Sequence, residues 1–215
     1  MGMIVPIKRG TAQVLYAAED GVCLKEIKSG AYMISVSSYE TGIRLMNLLP
    51  EEGLFSFHQT FMLDSFKDRV RFSTLMENYQ AVYFSTDFLP VDCNIAIQPL
   101  TISDYEVVMQ NYEVDVGTDY IMKRLEEGEL FGCYINTVLT GFIGTHAEGS
   151  IGLLKVFNQH RRNGYGSALT AFMVNRQLSQ GVVPFEQIDI NNNSSLKLAR
   201  KLGFTLSTDH VYWVF

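Results

Sequence analysis

The chain has 215 residues, 47% of them hydrophobic and 19% charged, with a formal net charge of −6. These are the proportions of a globular protein with a sizeable core, and the acidic balance argues against a nucleic-acid partner, which would call for a basic stripe. No apolar run is long enough to span a bilayer, and Met1 to Pro6 lack the basic start and cleavage pattern of a secretion signal. A cytoplasmic location with no membrane partner is therefore expected. Cys23, Cys93 and Cys133 form no CxxC pair and read as reduced, buried thiols. His58, His146, His160 and His210 show neither HxxxH nor HxH spacing, so no metal is expected.

In chain order, residues 31 to 36 read as a strand. Ser37 with Glu40 has the S-x-x-E spacing that opens a helix, here ending near Pro50. Residues 54 to 58 again read as a strand. Leu63, Phe66, Val70 and Phe72 suggest a helix over 61 to 76, followed by a strand over 81 to 84. Phe61, Phe66, Tyr79 and Tyr83 are expected in the core of this first α/β unit. The periodicity lapses around Leu89-Pro90-Val91-Asp92, which sets a domain boundary between residues 94 and 95.

Beyond it, 95 to 97 is strand-like, and Ser103 with Glu106 repeats the capping spacing before a helix that runs to about Tyr112. A helix over 118 to 127 stops at Gly128. Residues 131 to 135, 140 to 146 and 151 to 157 form three consecutive strands, turned at Asn136-Thr137 and at Ala147-Glu148-Gly149, and the simplest assembly is an antiparallel meander. Tyr165, Ala168, Leu169, Phe172 and Met173 then fall on one helical face. A strand over 185 to 190, a helix over 194 to 202 closed by Gly203, and two strands separated by Ser207-Thr208-Asp209 complete the chain.

The sharpest chemical feature is Arg161-Arg162-Asn163-Gly164-Tyr165-Gly166, placed between a strand ending at Val156 and an amphipathic helix. Glycines allow a tight turn and close backbone approach, while the free N–H groups and dipole of the helix start favour an anion. Arg161 and Arg162 can add charge-assisted bonds to phosphate oxygens. A diphosphate suits one basic pair. The nucleotide-binding G-x-G-x-x-G pattern and the P-loop lysine are both missing.

This loop, with Leu154 to Gly166 around it, resembles motif A of the GNAT superfamily of acyl-CoA-dependent N-acyltransferases, although Asn158 stands where that family usually has proline. Asn192 to Phe204, ending Lys201-Leu202-Gly203-Phe204, resembles its motif B. The resemblance covers residues 95 to 215. It implies an α/β (α+β) fold with a mixed, mainly antiparallel sheet flanked by helices, here preceded by the small α/β unit of residues 1 to 94. Gly181 to Phe185 and Tyr212-Trp213-Val214-Phe215 further resemble the glycine N-acyltransferase-like branch.

The resemblance implies acetyl-CoA or another acyl-CoA as co-substrate, with no metal. Leu154, Lys155 and Val156 would pair with the pantetheine arm, and the Val156 N–H would face the thioester oxygen. Arg161, Arg162, Asn163, Gly164, Tyr165, Gly166 and Ser167 would hold the pyrophosphate, and Asn192 would contact the cofactor. Glu148 and His146 are the candidates for the general base, with a solvated turn glutamate and a strand-end histidine as the bland alternative. Many family members carry a proton-donating tyrosine where this chain has Ala199, so either another group such as Tyr212 is the acid or none is needed, and an aromatic in a terminal strand is more often a core residue. The expected acceptor is a small-molecule amine or an amino acid, and a homodimer is left open. The competing reading is a non-catalytic acyl-CoA-binding sensor or interaction protein.

Overall fold

The computed structural model describes residues 1–112 and 118–215. Its first elements are α1 (Ile4–Arg9), β1 (Ala12–Ala18), β2 (Gly21–Glu26), β3 (Tyr32–Val36), α2 (Tyr39–Met46), β4 (Phe55–Phe57), α3 (Leu63–Arg69) and β5 (Leu75–Val82). Then come β6 (Ala96–Pro99), α4 (Tyr105–Asn111), α5 (Thr118–Glu126), β7 (Leu130–Ile135), β8 (Val138–Thr145), β9 (Ile151–Val156), α6 (Tyr165–Ser179), β10 (Phe185–Asp189), α7 (Asn193–Lys201) and β11 (Thr205–Val214). The chain forms two compact units: Met1–Val82 with Gln187–Leu196 and Leu206–Phe215, and Tyr83–Glu186 with Lys197–Thr205. A single cut between 94 and 95 does not describe them, because two C-terminal stretches belong with the N-terminal unit.

In the first unit β1, β2 and β3 pair antiparallel in sequence. β4 then lies parallel to β3 and antiparallel to β11, with Phe57 opposite Tyr212. The core follows from the aromatic side chains these strands turn inward. Phe57 stacks on Phe66 at 4.1 Å and on Tyr212 at 4.9 Å, among buried Ile34, Leu45, Met46 and Met62.

Several expectations are corrected here. Helix α2 is capped by Ser38, whose side chain accepts from the Thr41 N–H, rather than by Ser37. The expected helix over 61 to 76 ends at Arg69, and Leu75–Val82 is strand. The cause is remote pairing, since the Thr74 and Phe215 backbones bond to each other in both directions, at 2.9 and 3.1 Å. Phe61 is 45% exposed. Elements α1, β1 and β2 have no clear signal in the sequence, and β1, exposed on most of both faces, carries no alternation.

In the second unit β6, β7, β8 and β9 pair antiparallel, so the meander expected over 131 to 157 is present. Asn136 and Thr137 both take positive φ, 47° and 69°, as a two-residue hairpin turn requires. Thr101, not Ser103, forms the capping box, together with Asp104. Helices α4 and α5 bury Val108, Ile121 and Leu125 against Leu130, Phe142 and Leu153. The two strands expected after 204 are the single strand β11, with Ser207 Oγ bonded to the Asp209 carbonyl at 2.6 Å. Cys23 and Cys133 are buried as expected, whereas Cys93 is exposed.

Candidate active site

The geometry of β9 begins with its pairing to β8. Gly141 faces Val156 and Phe142 faces Lys155, yet Gly144 faces Gly152, so Leu153 and Leu154 together oppose Ile143. Leu153 takes φ 54°, and the extra residue makes a β-bulge. On its other side β9 meets β10 in parallel with Glu186 opposite Ile151, ahead of the bulge. Beyond the bulge, the Phe157 N–H donates to the Thr140 carbonyl at 2.9 Å. Because bonded and non-bonded residues alternate along an antiparallel pair, the Val156 N–H and C=O point away from β8. On that edge Arg161 Nε donates to the Val156 carbonyl at 3.3 Å.

The chain then turns through Asn158–His160 into α6, a helix of 15 residues. Arg162 takes φ 67° and Gly164 φ 84°. A left-handed residue at the cap position suits glycine, and no side chain caps the helix at Gly164. A Cβ on Gly164 would meet no atom within 4 Å. The start of this helix therefore offers N–H groups to an external anion, with Arg161, Arg162 and Asn163 exposed beside it. Tyr165, Gly166 and Ser167 lie in its first turn, and Lys201 Nζ reaches Ser167 Oγ at 3.5 Å. Lys201, expected from sequence only as part of a helix end, thus adds a third cation.

Leu154, Lys155 and Val156 are partly buried on the same strand. Asn192 belongs to the other unit and caps α7, its Oδ1 accepting from the Ser195 N–H at 3.1 Å. Tyr212 also lies in the other unit, only 1% exposed. Its hydroxyl is 3.0 Å from Thr60 Oγ1 and donates to Glu77 Oε1 at 3.0 Å, with His210 Nδ1 on the same oxygen at 2.5 Å. Burial raises the Tyr212 pKa, and the Glu77 carboxylate adds to the rise.

The two candidate bases lie where β8 turns into β9. Glu148 is 5% exposed and accepts from Ser150 Oγ. That burial departs from the solvated turn glutamate that charge alone suggests. His146 is partly buried, its Nδ1 2.8 Å from the Tyr120 hydroxyl. Burial lowers the His146 pKa, Glu148 opposes the shift and Arg124 reinforces it. Arg124 is almost wholly buried and pairs with Glu127, and its guanidinium lies 5.7 Å from the Tyr120 ring centre. Tyr120, Arg124 and Ser150 were missed from sequence, because nothing in the spacing links a helix at 118 to 126 with a turn at 147 to 149. Among the described residues no group of three or more His, Cys, Asp or Glu side chains is placed to hold a metal ion, and no helix is long and apolar enough to cross a membrane.

Strand β9 thus bulges at Leu153 and leads to a helix start that no side chain caps. The family model of FR47-like proteins matches residues 133–214. A Drosophila protein of known structure is 14% identical, with TM-score 0.69 over 91% of this chain and 74% of its own. A GCN5-related N-acetyltransferase from Kribbella flavida is 12% identical, with TM-score 0.63 over 99% of this chain and 94% of its own. An acetyltransferase of the GNAT family from Colwellia psychrerythraea is 15% identical, with TM-score 0.56 over 94% and 84%. No curated protein matches by sequence. At these identities the likeness is one of fold. The protein has the fold of these GNAT acetyltransferases, and residues 133–214 match the model of FR47-like proteins.

Proposed function

We propose that the protein transfers an acetyl or other short acyl group from coenzyme A to the amine of a small molecule or amino acid, directly within a ternary complex. The observation that carries this reading is the edge of β9 beyond its bulge, which runs into the uncapped start of α6. An extended pantetheine arm can add to that edge as a further strand, with the pyrophosphate on the Arg161 to Ser167 segment. The Val156 N–H then lies where charge develops on the thioester oxygen. A donor fixed in advance at such a point contributes about 3 to 4 kcal/mol to a rate. Holding both substrates together supplies about 7 kcal/mol or more in favourable geometry. Glu148 takes the ammonium proton, the free amine attacks the thioester carbon, the C–S bond breaks to release the thiolate, and the extra proton on the new amide nitrogen passes to solvent water. Ala199, whose methyl group carries no acidic proton, cannot protonate that thiolate. A thiol with a pKa near 8.5 still leaves without an acid.

Ala199 is also the observation that favours a second reading, in which acyl-CoA is bound and no transfer follows. Incubation with acetyl-CoA and a panel of amines and amino acids, with free thiol as the readout, separates the two. Thiol release that depends on an acceptor supports the transferase. Tight coenzyme A binding without release across a wide panel supports the binding protein.

A further inference from the structure

The pair formed by Tyr120 and His146 has no role in the transfer scheme, and its geometry decides which of the two candidate bases can act. Tyr120 stands on α5 and His146 at the end of β8, with hydroxyl and Nδ1 2.8 Å apart. The imidazole edge that carries Nε2 lies over Gly152 on β9, and a Cβ at Gly152 would overlap it. The ring is therefore held from one side by a phenol and from the other by a strand that leaves it just enough room. Its two nitrogens face different surroundings.

We propose that Tyr120 is a positioning residue that fixes His146 as the tautomer protonated on Nε2, so that His146 keeps no free lone pair and proton removal falls to Glu148. A neutral imidazole has one N–H and one lone pair. Burial holds the Tyr120 pKa far above that of free tyrosine, and Glu148 adds to the rise, while Arg124 and the Ala147 N–H act weakly against it. With the Ala147 N–H donating to the phenol oxygen, the phenol proton is left to point at Nδ1, which occupies that lone pair and leaves the hydrogen on Nε2. The groups acting on His146 are Tyr120 and Arg124 from α5 and Glu148 from the turn, while Tyr112 from α4 acts on Tyr120. Arg124 and burial keep the ring neutral. A neutral ring in this tautomer, with the Nδ1 lone pair occupied, has no free lone pair with which to take up a proton from an ammonium. The inference rests on the transferase reading for its consequence.

Two measurements test it. Nitrogen-15 NMR of the histidine rings, with His146→Gln to assign the signal, reads the tautomer in the absence of any substrate. Protonated Nε2 with bare Nδ1 is expected, and Tyr120→Phe should shift the ring to a mixture or to the opposite form. A hydrogen on Nδ1 in the wild-type protein, or no change in Tyr120→Phe, overturns the inference whatever the activity proves to be. The second is the pH profile of kcat/KM. His146→Gln retains an N–H donor and should keep the acid limb, whereas Glu148→Gln should lose it along with most of the turnover. The reverse pattern makes His146 the base and ends the proposal. Absence of thiol release from the wild type would count against the transferase reading and leave the tautomer result standing.

Discussion

The Phe157 N–H donates to the Thr140 carbonyl at 2.9 Å, and this one bond determines that the neighbouring Val156 N–H faces the open edge of β9. Since the sheet makes no use of that N–H, Val156→Pro should remove it with little loss of strand pairing. Turnover is expected to fall about a hundredfold to a thousandfold, the usual cost of losing one fixed donor to a developing oxyanion. Coenzyme A affinity should change much less. Steady-state kinetics alongside calorimetric binding of coenzyme A check this, and a loss confined to affinity would remove Val156 from the transfer step.

How much of this was legible before folding depends on the range of the interactions. The strand, loop and helix from Ile151 to Ser179 were readable because glycine turns and an apolar helical face are local signals, and the structure places Gly164 at φ 84° where the pattern put a turn. The bulge at Leu153 was not readable, because it exists only in the register against β8. The burial of Glu148 depends on Ser150 and on a packed turn, and its neighbour His146 meets a phenol 26 positions away in sequence. The N-terminal half was read least well. Strand β5 takes its place through the backbone of Phe215, at the opposite end of the chain.

Gly164 separates the cost of folding from the cost of binding. Its φ of 84° strains any other residue, by about 1 to 2 kcal/mol, but no atom stands within 4 Å of a new Cβ. Gly164→Ala should therefore lower stability by that modest amount and leave the fold intact. Gly164→Trp should cost similar stability while reducing coenzyme A affinity by more than about tenfold, or 1.4 kcal/mol, by filling the approach to the helix start. Thermal unfolding with and without coenzyme A gives both quantities. Unchanged affinity in Gly164→Trp would place the pyrophosphate elsewhere.

His58 predicts acid sensitivity of the first unit. Burial pushes its pKa from 6.5 down to about 4, only partly offset by the Ile34 carbonyl 3.3 Å from Nδ1. Between these two values the unfolded chain binds the proton and the folded chain does not, so stability is kept above pH 6.5 and falls as the pH drops towards 4. At 1.36 kcal/mol per unit the loss is at most about 3 kcal/mol. Urea unfolding at several pH values should show this slope in the wild type and a flatter one in His58→Gln. Equal slopes would mean that His58 takes up its proton in the folded state.

Glu186 predicts the opposite dependence in the second unit. The side chain lies on β10 opposite Ile151, next to where β9 bulges away, and the residue is 9% exposed. Burial raises its pKa from 4.5 to about 8, so the folded chain keeps a proton that the unfolded chain has released. Stability contributed by the neutral carboxyl is complete below pH 4.5 and declines as the pH rises through 8, by an upper bound of about 5 kcal/mol. Glu186→Gln replaces the acid by a neutral group of similar shape. Its Tm should match the wild type at pH 4.5 and exceed it at pH 8, which scanning calorimetry at the two values can measure. A wild-type advantage at pH 8 would mean that the ionised carboxylate is stabilised in the folded state, and that the junction of β9 and β10 is held by a charge rather than by a neutral acid.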